Sequence, residues 1–208
     1  MYNKNLISPL IELITENQID IVSLVEAKKL DINAVINHFK INREEWKDVQ
    51  ISTTNDIRVL VKKEINIIPF KEDSHYSIYK IKKNDEINSI LVVVHLLSKI
   101  SKSNEAQYNR ANDIAREREK YEEEIFGNIT KKTIIVGDFN MQPYEAGLCS
   151  GYGFNATMSE NHALKITRKI DGKEKYLYFN PMWSLMGAHK KVQGSYYSSN
   201  NKDDHAIY

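Results

Sequence analysis

The sequence predicts an α/β fold in which two mixed or antiparallel sheets pack face to face and carry helices on their outer faces. Three observations predict it. Short runs rich in Ile and Val recur along the chain, helix-periodic segments stand singly between them, and four apolar or alternating stretches follow one another between residues 57 and 96. No internal repeat, low-complexity tract or long flexible linker interrupts this order, since 208 residues hold only 8 Gly and 4 Pro. The chain is read as one domain spanning 1–208.

Residues 6–18 place Leu6, Ile7, Leu10, Ile11, Leu13 and Ile14 at helical spacing, with Pro9 near the start, where a missing N–H is tolerated. Residues 19–25 are short and β-branched and read as a buried strand that ends at Glu26. Residues 32–39 read as a short helix. The stretches 57–63, 65–70, 75–83 and 87–96, parted by short polar segments, carry the pattern of an antiparallel meander. Residues 104–126 contain no Gly or Pro and are rich in Glu, Arg and Ala, which predicts one long helix. Its apolar positions, Ala111, Ile114, Ala115, Tyr121 and Ile125, are sparse, so one face is expected to be solvated. Thr133-Ile134-Ile135-Val136 is a further short strand and runs into Gly137-Asp138-Phe139-Asn140. From Met141 onward, loops with short strands are expected, for example over 175–179.

Composition excludes several classes. A mean hydropathy of −0.51, with no apolar run near the roughly 18–20 residues needed to span a bilayer, argues against a membrane protein. The single cysteine, Cys149, excludes a disulfide framework and a Cys-rich zinc site. Lys and Arg number 29 against 28 Asp and Glu, so bulk charge does not draw the chain to long nucleic acid, whereas a local basic patch stays open. The first ten residues show no basic segment followed by a long apolar one, so no signal peptide is read and a cytoplasmic location is expected.

Three strand ends present polar groups after apolar runs: Glu26 after Ile21-Val22-Ser23-Leu24-Val25, His95 after Ile90-Leu91-Val92-Val93-Val94, and Asp138 with Asn140 after Ile134-Ile135-Val136-Gly137. A carboxylate at the end of a core strand is costly unless it is paired, hydrogen-bonded or metal-bound, and strand ends are rigid platforms for a site. Taken singly, each has a plain structural reading. Glu26 can be a solvated strand end, His95 a hydrogen-bonded core histidine, and Gly-Asp-Phe-Asn a turn. Their occurrence together, each after a hydrophobic strand, points to a site. His38, His75, His162 and His189 sit among polar neighbours or on a helix and are read as surface or structural residues.

These residues carry a resemblance. Ile134-Ile135-Val136-Gly137-Asp138-Phe139-Asn140 resembles the Gly-Asp-Phe-Asn signature of the endonuclease/exonuclease/phosphatase (deoxyribonuclease-like) superfamily. The strand ending at Glu26 is similar to the one that ends in that family's metal-binding glutamate, and Val92-Val93-Val94-His95-Leu96 to the strand carrying its first catalytic histidine. The long helix between His95 and Asp138 stands where the family places one, and Asn180-Pro181-Met182-Trp183 and Gly194-Ser195-Tyr196-Tyr197 resemble segments of bacterial members. The resemblance implies a four-layered α/β sandwich and metal-dependent hydrolysis of a phosphoester. Glu26 would ligate Mg²⁺ or Mn²⁺, an ion that takes hard oxygen ligands and keeps several waters. Asp138 would orient or deprotonate the attacking water, Asn140 would donate to a phosphoryl oxygen without repelling it, and His95 would hydrogen-bond the phosphate or assist proton transfer.

The sequence also departs from the family pattern. The family opens on a strand ending in an asparagine near the metal, whereas here only Met1-Tyr2-Asn3-Lys4-Asn5 precedes the first helix and Asn3 is a poor substitute. Asp204-His205 superficially resembles the family's late Asp-His pair, but Ile207 stands where the family has proline. The preferred reading puts Asp204-His205 in a loop before a further strand that begins at Ala206. The expectation is therefore a fold incomplete at both ends, with low or no activity unless a partner or additional sequence completes it. Two function classes follow: a Mg²⁺-dependent phosphodiesterase or nuclease, and a catalytically impaired fragment or non-enzymatic binding module of the same fold. The substrate is expected to be a phosphoester, with DNA, RNA, a small molecule and a lipid head group all open. Lys99, Lys102, Arg110, Lys190 and Lys191 with Tyr196 and Tyr197 could form a nucleic-acid groove, against the plainer reading of a solvated face. The sequence carries no signal for an oligomeric state.

Overall fold

In the computed structural model, residues 6–52, 56–100 and 102–185 are described. They form two compact units. The first takes the described residues up to His95 together with Lys132–Asp138, and the second takes Leu96–Lys131 and the described residues from Phe139 onward.

The first unit contains both large sheets. Strands β1 (Ile21–Leu24), β2 (Trp46–Asp48) and β3 (Arg58–Lys62) form an antiparallel sheet in the order β1-β3-β2. Strands β4 (Asn66–Asp73), β5 (Tyr76–Lys83), β6 (Glu86–His95) and β7 (Thr133–Asp138) form a second sheet in that order, antiparallel except for the parallel pair β6–β7. Of the four stretches read as one meander, 57–63 does not belong to it. It pairs with β1 and β2 in the other sheet, and only β4, β5 and β6 form the meander. The alternation of Val59, Leu60 and Val61 specifies which faces are apolar but not which strands lie alongside.

That alternation builds the layers. Val59 and Val61, with Val49 and Ile57, pack against Ile67, Tyr79, Leu91 and Val93 of the second sheet. Leu60, on the opposite face of β3, packs with Val22, Trp46 and the apolar sides of α1 (Ile7–Glu16) and α2 (Ile32–Ile41), through Ile14, Ile32, Val35 and Phe39. The rings of Phe39 and Trp46 stack at 5.0 Å. The unit is thus sheet on sheet with helices on one outer face. Asp31 starts α2 by accepting a hydrogen bond from the Ala34 amide at 3.1 Å. The β5–β6 hairpin turns on Asn84 and Asp85, both at positive φ, residues that tolerate this conformation. In β6 every residue from Ile90 to Val94 is buried, in keeping with its unbroken apolar run.

The second unit is built on α3 (Asn104–Phe126). Ser103 caps its start by accepting from the Ala106 amide, and Gly127, at φ 77°, ends it in the left-handed conformation. The expected Ala111, Ile114, Ala115 and Tyr121 are buried, and so are Gln107, Arg118 and Glu122 on the same stripe. Arg118 Nη1 donates to Glu122 Oε1 (3.0 Å) and to the Tyr178 hydroxyl (2.6 Å), and the Thr130 amide donates to Glu122 Oε2 (3.3 Å). Buried charges are thus held by partners rather than excluded. Short helices α4 (Ala146–Cys149) and α5 (Glu160–Lys165), an antiparallel pair β9 (Thr167–Ile170) and β10 (Lys173–Tyr176), and a parallel pair β8 (Ala156–Thr157) and β11 (Tyr178–Phe179) complete the unit. The strand expected over 175–179 is divided between β10 and β11. No described helix is long and apolar enough to cross a membrane.

Candidate active site

Three of the four residues singled out from the sequence lie in the first unit, at strand ends. Strands β6 and β7 run parallel, so their C-terminal ends fall at the same edge of the sheet, and there His95 and Asp138 are directly paired in register. Gly137, one residue before Asp138, sits at φ 130° beside Val94, close enough that a Cβ would lie 2.0 Å from the Val94 oxygen. A glycine is required at that point. A turn is only the plain alternative for this segment in the sequence; in the structure the role of Gly137 is close backbone approach.

Glu26 follows β1 and adopts the left-handed conformation, φ 55° and ψ 27°. The segment is fastened to Asp56 by the Ala27 amide, which donates to the Asp56 carbonyl (3.3 Å), and by a Lys28–Asp56 ion pair (3.0 Å). A non-glycine residue held in this region marks a constraint worth a functional reading. The Glu26 side chain is 77% exposed, and its Oε1 lies 3.6 Å from His95 Nε2. The structure therefore brings Glu26, His95 and Asp138 to one place. The His95 amide donates to the His75 carbonyl (2.8 Å), and His75 Nδ1 lies 3.1 Å from the His95 carbonyl oxygen, so His75 braces the strand end. Sequence reading left His75 as surface or structural; its tie to His95 is backbone pairing that no motif signals.

Asn140 lies in the second unit. It is 8% exposed and left-handed (φ 50°), a conformation asparagine tolerates. Its Nδ2 donates to the Leu96 carbonyl at 3.0 Å, and its own carbonyl accepts from Gln107 Nε2 at 2.9 Å. Of the expected basic residues, Lys99 is ion-paired with Glu145, Lys102 is exposed and Arg110 is half-buried. Asn3, His189, Lys190, Lys191, the Gly194–Tyr197 segment, Asp204 and His205 lie outside the described residues, as do both departures read at the chain ends.

Among the described residues, no three His, Cys, Asp or Glu side chains gather in a metal-ligating group. The donor set nevertheless suits Mg²⁺ or Mn²⁺. An exposed carboxylate such as Glu26 offers hard oxygen, and a hard divalent ion commonly takes one or two protein carboxylates and fills its remaining positions with water or substrate oxygens.

No family model and no curated protein matches the sequence. Solved structures do match in fold. The human Nocturnin catalytic domain, solved with a bound sulfate anion, is 13% identical with a TM-score of 0.50, over 73% of this chain and 64% of that one. Truncated Caenorhabditis elegans TDP2 is 14% identical, covering 67% and 56% of the two chains, with a TM-score of 0.43. An endonuclease/exonuclease/phosphatase family protein from Bacteroides thetaiotaomicron is 11% identical, covering 69% and 56%, with a TM-score of 0.44. This chain thus spans less than two thirds of the length of each. The Nocturnin likeness, on top of sheet-on-sheet packing with outer helices, gives this chain the endonuclease/exonuclease/phosphatase, deoxyribonuclease-like fold.

Proposed function

We propose that the protein is a metal-dependent phosphoester hydrolase, a phosphodiesterase or nuclease acting in the cytoplasm. The observation that carries this reading is the meeting of His95 with Asp138 in register and with Glu26 at 3.6 Å, at the end of a sheet of this fold. Glu26 would hold Mg²⁺ or Mn²⁺, which supplies Lewis-acid polarisation of a phosphoryl oxygen when bound. Asp138 orients the attacking water and accepts its proton. His95 hydrogen-bonds the phosphoryl group or passes a proton at Nε2, the atom that faces Glu26. Asn140, two residues along the chain from Asp138, donates from its side-chain amide to a phosphoryl oxygen, adding no negative charge.

The sulfate on the human Nocturnin catalytic domain supports an anionic tetrahedral ligand, since sulfate has the shape and charge of a phosphoryl group. The substrate proposed is a phosphoester, with DNA and RNA among the candidates. A cytoplasmic setting suits a chain whose one cysteine, Cys149, carries a free thiol that burial pushes up from its ordinary pKa.

A second reading, a non-catalytic binding module of the same fold, is favoured by one observation. Asn140 is nearly buried, and its Nδ2 is already engaged by Leu96. A panel of plasmid DNA, RNA and a generic phosphodiester with Mg²⁺ or Mn²⁺ separates the two readings. Hydrolysis that falls by about 100-fold or more in Asp138→Ala and in His95→Ala supports the enzyme. Binding without turnover supports the module.

A further inference from the structure

We propose that Gln107 is a positioning residue for Asn140; this rests on the role given to Asn140 above. Gln107 lies in the first turn of α3 and is 1% exposed. Its Nε2 donates to two carbonyl oxygens, Leu97 at 2.6 Å and Asn140 at 2.9 Å. Carbonyl oxygens only accept, so the amide orientation is fixed by its partners: the nitrogen faces both, and both of its hydrogens are committed. Its Oε1 is buried with no hydrogen-bond partner among the described residues. Such a group costs stability, and packing alone does not call for it. The neighbouring positions on the buried stripe, Ala111, Ile114 and Ala115, are apolar, and a methionine or leucine would fill the place of Gln107 as well.

What the amide adds is a frame. Residue 140 is held at its backbone carbonyl by Gln107 and at its side chain by the Leu96 carbonyl, and Gln107 also grips the carbonyl of the next residue, Leu97. Two primary amides and three carbonyls thereby lock an asparagine in the left-handed conformation and fix the orientation of its side-chain amide. Donors act on developing charge only when they are held in place beforehand, and a displacement of about 1 Å can cost on the order of 100-fold in rate.

The test uses the full chain with Gln107→Met, which keeps length and apolar bulk but removes the donors. Two readouts are taken: the Asn140 side-chain amide signals by nitrogen-15 NMR, assigned by their loss in Asn140→Ala, and metal-dependent hydrolysis of a generic phosphodiester. The expected variant is folded by circular dichroism, has shifted Asn140 amide signals, and loses about 10- to 100-fold in kcat with KM within about threefold. It adds nothing to the loss already caused by Asn140→Ala, because it acts through that residue. If Gln107→Met does not fold, Gln107→Asn, whose amide falls one methylene short, carries the same readouts. Unmoved Asn140 signals in a folded variant, or a kcat loss that adds in full to that of Asn140→Ala, would overturn the proposal. A wild type that hydrolyses nothing defeats the functional reading alone; the Asn140 signals then still decide for or against the positioning role.

Discussion

Replacing Gly137 with alanine puts a methyl carbon 2.0 Å from the backbone oxygen of Val94. Real side chains stay beyond 3.0 Å, so strands β6 and β7 have to part by about 1 Å next to the His95–Asp138 pair. The clash is with backbone, which no rotamer change relieves. The φ of 130° is itself unfavourable for an L residue, by about 1–3 kcal/mol. Parting the strands weakens roughly two ladder hydrogen bonds at about 1 kcal/mol each. The sum, about 3–5 kcal/mol, is a large share of the roughly 5–15 kcal/mol that holds a domain together. Urea unfolding followed by far-ultraviolet circular dichroism measures it. With a slope of about 2–3 kcal/mol per molar, the midpoint falls by about 1–2.5 M. Gly172→Ala is the control, since Gly172 sits at φ 78° with nothing within 4 Å of its missing Cβ. That variant has the conformational cost without the clash and loses about 1 kcal/mol. A Gly137→Ala midpoint within about 0.3 M of wild type, or equal losses in the two variants, would refute the close-approach argument.

Two further perturbations probe the two units. Tyr79, buried between the sheets, has its phenol pushed up to about 12, chiefly by burial, against about 10 in the unfolded chain. The unfolded state therefore loses its proton first: the contribution is complete below pH 10 and is lost as pH rises toward 12. Its size is about 2–3 kcal/mol. Unfolding midpoints measured from pH 9 to 12 are expected to fall more steeply for wild type than for Tyr79→Phe. In the second unit, Arg118→Met leaves Glu122, which is 0% exposed, without its guanidinium, at a cost of about 3–5 kcal/mol. Urea unfolding checks this, and the double variant Arg118→Met/Glu122→Leu is expected to recover part of the loss.

The parts of the fold that were legible in the sequence are those where apolar pattern alone decides. The apolar run Ile90 to Val94 reads as a strand and 104–126 as a long helix, and both are found. Strand β2, Trp46–Asp48, was not foreseen, because three residues with two charges carry no periodicity. The sheet to which β3 belongs was not legible either, because alternation fixes faces and not neighbours. In the candidate site, Glu26, His95 and Asp138 were found because each follows an apolar run, and the structure gathers them. Gln107, Arg118 and Glu122 escaped notice. A polar residue on a buried helix stripe reads as solvated until its partners are known, and two of these partners lie far along the chain, at Asn140 and Tyr178.

Glu26, His95 and Asp138 are proposed to serve metal-dependent phosphoester hydrolysis. Initial rates on a generic phosphodiester, with Mg²⁺ or Mn²⁺ and with EDTA, for wild type and Asp138→Ala, test this most directly. The expected result is hydrolysis above the EDTA background that drops by about 100-fold or more in Asp138→Ala while the variant stays folded. Hydrolysis that persists in EDTA, or that Asp138→Ala leaves unchanged, contradicts it, as does a wild type that binds the substrates without turning any over.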